Sequence, residues 1–328
     1  MPTMQNPSIS VIVPCYNVAP FLQHSLGSLV RQTFSDFEII AIDDGSTDDT
    51  PQVLQSWAEQ DARLRVVRQE NMGLYLARLT GIRHAHAAWI TFMDADDEVE
   101  THHLESLWGK VDGHTGVVVG GIVAVDSSGR ATLRTPPFTA LTMHQAAQQL
   151  LVGHHRNGLY PCWNKLYRRE LLQEGWLMRP RLSYGEDQVF NLRVFLHGKD
   201  WQVRAVPHAT YRYLSREGSL MRSITVRHVE EFFDLWRERD GAAREALHGE
   251  SDLLRRYRLM HLIAVMDFYG NVYRSKNHEI ALRFEEKLRA TGWTLGLPLR
   301  HPVPAARWLK WMIRRQFARK NRFSTWLD

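Results

Sequence analysis

Short β-branched runs alternate with helical patterns through the first ninety residues, and this alternation limits the possible folds more than any other feature. Ser8–Val13 is a β-branched run closed by Pro14. Phe21–Arg31 carries Phe21, Leu22, Leu26, Leu29 and Val30 at helical spacing. Glu38–Ile42 is a second run, closed by Asp43, Asp44 and Gly45. Ser46–Asp49 has the form of a capping box, and Val53, Leu54, Trp57 and Ala58 then share one helical face. Leu64–Val67 predicts a strand, Leu74–His84 a helix and Trp89–Met93 a strand. That order predicts an α/β fold with a mostly parallel, Rossmann-like sheet. Ligands of such sheets lie beyond the carboxyl ends of the strands. Pro14–Asn17, Asp43–Ser46 and Asp94–Asp97 all fall at such ends, so three polar clusters far apart in sequence are expected on one rim.

The pattern loosens further on. Gly116–Val125 reads as a strand, and Thr142–Val152, Asn164–Leu172 and Gly185–Gly198 read as helices. From about residue 223 the signals are helical: Val226–Arg239, Leu253–Val272 and Ile280–Ala290. Pro298, Pro302 and Pro304 mark a hinge before the last segment. A chain of 328 residues can bury a core without disulfides or a structural metal. No apolar run reaches the length of a membrane span, and the first residues lack a secretory leader pattern. Cys15 and Cys162 form no CxxC, which predicts reduced thiols and an intracellular protein. Cys15 reads as packing.

Net charge is +5, but seven basic residues against one acid lie in 301–328, leaving residues 1–300 near −1. A nucleic-acid binder is therefore not expected, since the excess is confined to the tail. The sixteen histidines form no HExxH and no zinc spacing.

Each rim cluster admits two readings. The carboxylates of Asp43 and Asp44 can accept the imide N–H of a uracil ring, or merely lead the chain from strand into helix. Asp94-Ala95-Asp96-Asp97 offers hard oxygen ligands at i and i+2, which suit Mg²⁺ or Mn²⁺ bridging to substrate phosphates; it also reads as an acidic loop. Glu186 and Asp187 open a helix, where the macrodipole favours ionised carboxylates. One of them can serve as a general base, or both can simply stabilise the helix end.

Taken together and in order, Ser10-Val-Ile-Val-Pro-Cys-Tyr-Asn17, Gln32-Thr-Phe-Ser-Asp-Phe-Glu38, Asp43-Asp-Gly-Ser46, Asn71-Met-Gly73, Ala77-Arg78, Asp94-Ala-Asp-Asp97 and Glu186-Asp187 resemble the family 2 glycosyltransferases of GT-A fold. The resemblance covers about residues 8–215. It implies a catalytic domain over 1–222, with a nucleotide-sugar half at 8–115 and an acceptor half at 116–222. A helical region at 223–300 and a basic amphipathic tail at 301–328 follow. It implies that Pro14, Tyr16 and Asp44, with Asp43 nearby, hold the base and ribose, and that Asn17 also binds the nucleotide. It places Arg78 near the diphosphate, with Asp94 and Ala95 also at the nucleotide. Asp96 and Asp94 would bind Mn²⁺ or Mg²⁺, and Asp187, with Glu186 beside it, would act on the acceptor. Leu79 and Ala87 depart from the family's usual asparagine and glycine. Trp163, Lys165 and Tyr213 lie in family-like motifs of the acceptor half; Trp163 suits either a sugar face or the core.

The implied activity is inverting, metal-dependent transfer of a sugar from a nucleotide sugar, of the UDP class, to a glycan or lipid-linked saccharide hydroxyl in surface polysaccharide or lipopolysaccharide assembly. A nucleotidyltransferase and a non-catalytic nucleotide or glycan module are the competing classes; Pro14–Asn17 lacks the glycine- and basic-rich loop expected of the first. In the tail, Trp308, Leu309, Met312, Ile313 and Phe317 share an apolar face opposite Arg307, Lys310 and Arg314. Residues 305–326 thus read as an in-plane membrane helix, placing the protein at the inner face of the cytoplasmic membrane, or as a helix docked on the protein itself.

Overall fold

The computed structural model describes residues 7–153, 158–173, 185–215, 225–274 and 277–290. They fall into two compact units, one within 1–217 and one within 218–328. The tail and the proline hinge lie outside the described residues.

The first unit begins with β1 (Ile9–Cys15), α1 (Ala19–Val30), β2 (Phe37–Asp43), α2 (Thr50–Gln60), β3 (Leu64–Arg68), α3 (Leu74–His84) and β4 (Trp89–Phe92). β1 and β2 are buried along their whole length, as strands covered on both faces must be. They pair in parallel with Cys15 opposite Asp43, and β2 pairs with β3 with Asp43 opposite Arg68. β1 also pairs in parallel with β4, with Ile12 opposite Phe92. The carboxyl ends of all four strands therefore meet on one rim, as the alternation predicts. α3 lies hard against β1: a Cβ on Gly81 would sit 2.2 Å from Ile12 Cγ2, so only glycine permits this approach.

β5 (Glu98–Val99), α4 (His103–Trp108), β6 (Thr115–Val125), β7 (Ala131–Arg134), β8 (Ala140–Thr142), α5 (Met143–Val152), β9 (Lys165–Arg168), α6 (Glu186–His197) and β10 (Gln202–Leu214) complete the unit. The sheet runs β3-β2-β1-β4-β9-β6-β10-β5, with β7 on β6 and β8 on β10. The parallel character is continuous from β3 to β4. Beyond it, β9 runs antiparallel to both β4 and β6, while β6 and β10 are parallel.

Two expectations are corrected. Asn164–Leu172 is not a helix but β9 followed by a 3₁₀ turn, Arg169–Leu171. Its apolar spacing mimics a helix, yet the open edges of β4 and β6 need a shared partner, and ladder hydrogen bonds outweigh local propensity there. Ser46–Asp49 is not a capping box: α2 starts at Thr50, and Asp49 makes no side-chain cap. Asp48 supplies the carboxylate instead, accepting from the Thr50 and Ala19 amides. The strand β10 has no clear sequence signature, because register shifts around Ala205–Tyr211 break its period-2 alternation.

The second unit contains α7 (Val226–Ala246), α8 (Ser251–Arg274) and α9 (His278–Ala290), matching the helical reading of that region. Phe232, Phe268 and Phe284 form its aromatic centre. Glu230 pairs with both Arg283 and Lys287. No described helix is long and apolar enough to cross a membrane.

Candidate active site

The rim of the parallel half is built by side chains that fasten one strand-end loop to the next. Asn17, in the left-handed region at φ 51°, accepts the Thr47 amide through Oδ1 at 2.8 Å, and its own amide donates to Ser46 Oγ. Asp43 is fully buried; it accepts the Ser46 amide at 2.9 Å and faces Arg68 at 3.4 Å. Asp44 accepts from Gln69 and the Met72 amide through one oxygen, and from the Gly73 amide through the other. The turn reading thus holds for Asp43, whereas Asp44 ties this turn to the loop before α3, and these bonds shape the rim around the exposed ring of Tyr16. Pro14 lies buried at the end of β1 and Ala95 in the loop after β4.

At the centre stands Arg78, on α3 and 2% exposed. Its guanidinium donates to Asp187 Oδ1 at 2.5 Å and to Asp94 Oδ1 at 3.0 Å, and lies 3.6 Å from Glu186. Phe92 lies beneath it. Burial is the largest single influence on Arg78 and would lower its pKa, but the neighbouring groups, led by Asp187 and Asp94, together outweigh it and raise the pKa, so the guanidinium stays charged. Arg78 therefore joins three carboxylates from two distant segments. Its Nε is buried without a hydrogen-bond partner.

The helix that brings Glu186 and Asp187 here starts at Gly185, whose φ of 74° needs glycine. It is held to the sheet by an edge-to-face cluster of Phe190, Phe92 and Tyr167, with centroids 5.6–5.8 Å apart. Burial and the neighbouring Asp187 push Glu186 up to about 8. Burial, with Asp187 and Asp96 near, raises Asp94 to about 6 despite Arg78. Asp97, the last residue of the acidic motif and given no separate role by it, is a structural carboxylate. It accepts the Leu214 amide and the Tyr211 hydroxyl, and burial lifts it to about 8. Tyr211 in turn accepts the Asp94 amide, tying β10 to the acidic loop.

Among the described residues, no group of three or more His, Cys, Asp or Glu side chains forms a metal cage. The donor set nevertheless suits Mg²⁺ or Mn²⁺, which are commonly bound by one or two carboxylates plus substrate phosphates. Asp94, Glu186 and Asp187 converge on one guanidinium, with Asp96 beside Asp94, and the upward shifts at Asp94 and Glu186 come from burial and then from these neighbouring carboxylates.

On the acceptor side, Trp163 stacks on Tyr211 at 4.3 Å and on Tyr213 at 5.5 Å. It is packed on the core, yet remains half-buried at the rim. Burial and the negative charge of the acidic loop raise the Tyr213 pKa. Lys165 is a correction. It is 0% exposed, and its ammonium donates to the carbonyls of Gly158 (2.7 Å) and Pro161 and to Asn164 Oδ1 (2.9 Å). All three donors are taken, which removes it from any acceptor surface. Cys15 and Cys162 are buried and unpaired, and burial pushes both thiols up, away from nucleophilic chemistry.

Comparison with known proteins brings this rim into a wider frame. The profile of "Glycosyl transferase family 2" matches residues 10–176. The uncharacterized glycosyltransferase EpsJ of Bacillus subtilis is 36% identical over 218 residues, which span 65% of this chain and 63% of EpsJ. Glycosyltransferase GlyG of Streptococcus pneumoniae is 38% identical over 228 residues, 66% of this chain and 73% of GlyG. Among solved structures, residues 1–349 of Staphylococcus aureus TarS in complex with UDP-GlcNAc superpose with a TM-score of 0.59 at 22% identity. That match covers 86% of this chain and 85% of the other. It speaks to fold alone.

Proposed function

The chain belongs to glycosyl transferase family 2, and on that premise we propose that it is an inverting, metal-dependent glycosyltransferase. It moves a sugar from a nucleotide sugar, of the UDP class, to a hydroxyl of a glycan or lipid-linked saccharide in cell-surface polysaccharide or lipopolysaccharide assembly. The observation that carries this reading is the Arg78 constellation. One buried guanidinium joins Asp187, a candidate base, to Asp94, the first carboxylate of the acidic loop.

In the reaction, the acceptor oxygen bonds to the anomeric carbon as its proton passes to Asp187. The bond from that carbon to the diphosphate oxygen breaks, and its electron pair leaves with the diphosphate. Attack opposite the leaving group inverts the centre in one displacement. Asp187 keeps 20% of its side chain accessible, as a base that must meet an acceptor requires. Arg78 supplies fixed positive charge next to the departing phosphates. Asp96 and Asp94 would hold Mn²⁺ or Mg²⁺, which when bound neutralises charge on the leaving diphosphate. Pro14, Tyr16, Asp43 and Asp44 form the base and ribose end, with Asn17 shaping it through the Thr47 turn. Trp163 and Tyr213 form the acceptor edge.

The TarS fragment is known in complex with UDP and with UDP-GlcNAc, which favours a uridine donor here. The basic tail favours a peripheral site at the inner membrane face, near lipid-linked acceptors. A thermal-shift panel of UDP-, GDP- and dTDP-sugars with Mn²⁺ or Mg²⁺ tests the donor. A metal-dependent rise in Tm with UDP-sugars is expected; no rise with any member overturns the reading.

A further inference from the structure

The buried lysine that the acceptor edge does not use has a different place in the site. Lys165 starts β9, opposite Val119 of β6 and at the same rim as the end of β4. Its ammonium grips the carbonyls of Gly158 and Pro161. Asn191, on α6 and 0% exposed, grips the same segment from the other side. Its Nδ2 donates to the carbonyl oxygens of Tyr160 at 2.9 Å and Pro161 at 3.3 Å, and to that of Asp187 at 2.9 Å. The Tyr167 hydroxyl donates to Asn191 Oδ1 at 2.7 Å, fixing which way the amide faces. Next in the chain, the Cys162 amide donates to Asp187 Oδ2 at 3.2 Å.

We propose that Lys165 and Asn191 are positioning residues for Asp187: by clamping segment 158–162 they hold the Cys162 amide against one carboxylate oxygen, while Arg78 holds the other. The proposal rests on the reading of Asp187 as the acceptor base. The physical case has three parts. A carboxylate fixed at both oxygens keeps one orientation. Burying an ammonium costs free energy, and burial lowers the Lys165 pKa to about 7, so the site tolerates a cost that packing alone does not need. And the clamp meets Gly158, Tyr160 and Pro161 through their backbone carbonyls, so it fixes the path of the segment whatever its side chains.

The test uses the full chain and the variants Lys165→Met, Asn191→Leu and the milder Tyr167→Phe, each screened for an intact melting transition. Amide hydrogen exchange is measured at Cys162, which needs no substrate. Faster exchange there in Lys165→Met or Tyr167→Phe, with exchange in β1 and β2 unchanged, is expected; unchanged exchange at Cys162 overturns the clamp. Release of nucleoside diphosphate from the UDP-, GDP- and dTDP-sugar panel with Mn²⁺, water serving as acceptor, gives the functional arm. Misplacing a reacting group costs about 10²-fold, so kcat is expected to fall by about that factor with donor KM unchanged. In an Asp187→Asn background the same substitutions should add no further loss, a coupling that a merely structural role does not produce. Full additivity in that background overturns the proposal. Undiminished release by Asp187→Asn alone would instead overturn the reading of the base, while leaving the exchange result to judge the clamp.

Discussion

The two halves of the sheet deliver polar groups to one rim by different means. From β3 to β4, each group follows its own strand in sequence: Cys15 precedes Tyr16, Asp43 ends β2, and Asp94 follows β4 within two residues. Parallel pairing then aligns the ends without further instruction. Across β9, β6 and β10 the pairing is mixed, antiparallel at β9 and parallel between β6 and β10, β10 is broken by register shifts, and the key groups come from a helix more than a hundred residues after Arg78. The first half is local chemistry placed by repetition. The second is distant chemistry placed by packing, and it depends on buried polar contacts that have no local cause.

The largest way to sharpen this contrast lies in the distant half. Asp187→Asn should lower transfer by about 10²–10⁴-fold while nucleotide binding by calorimetry persists; near-normal turnover would remove Asp187 from the chemistry. Next, Asp96→Ala should abolish the Mn²⁺-dependent part of nucleotide binding and leave the metal-free part, so titrations with and without Mn²⁺ should converge. In the local half, Gly81→Ala drives a methyl into Ile12. Overpacking of this kind costs about 1–3 kcal/mol, to be read from denaturant unfolding; an unchanged midpoint would show that α3 can lift off β1 freely.

A smaller effect concerns pH. His103 is buried, its Nδ1 within 2.8 Å of Thr210 Oγ1, and burial lowers its pKa from 6.5 to about 3. The unfolded chain therefore binds the proton first. The stability contributed by neutral His103 is complete above pH 6.5 and is lost as pH falls towards 3. The stability gap between the parent and His103→Asn should narrow over that window; a gap constant with pH would place the acid sensitivity elsewhere. The smallest expected effect is at the tail. Truncation after Arg300 should reduce co-sedimentation with anionic vesicles and leave donor binding unchanged; equal sedimentation of both forms would assign the basic residues to another role.

Much of the local half was legible in the sequence. The runs at Ser8–Val13, Glu38–Ile42, Leu64–Val67 and Trp89–Met93 are strands within a residue or two; in β1, β2 and β4 burial on both faces demands apolar runs, while β3 at the sheet edge is only partly buried. The three rim clusters were legible for the same reason. What those side chains touch was not. Asp44 and Asn17 hold backbone amides of the next loop, a choice set by which loop lies opposite. The motif places Lys165 in the acceptor half, and only the path of segment 158–162 makes it a buried donor to carbonyls. The helix expected at Asn164–Leu172 failed because the demand for a strand came from β4 and β6, seventy and fifty residues away.

By itself, the sequence determined the strand–helix order, the rim and the chemical types on it, since each depends on residues close in the chain. Only the tertiary structure decided that Arg78 would join Asp94 to Asp187, that Tyr211 would brace the acidic loop, and that Lys165 would face inward. Those outcomes require charges and carbonyls from distant segments to be buried together, where an unpaired group costs several times what it costs in water. That cost is set by the assembled environment, and no local pattern encodes it.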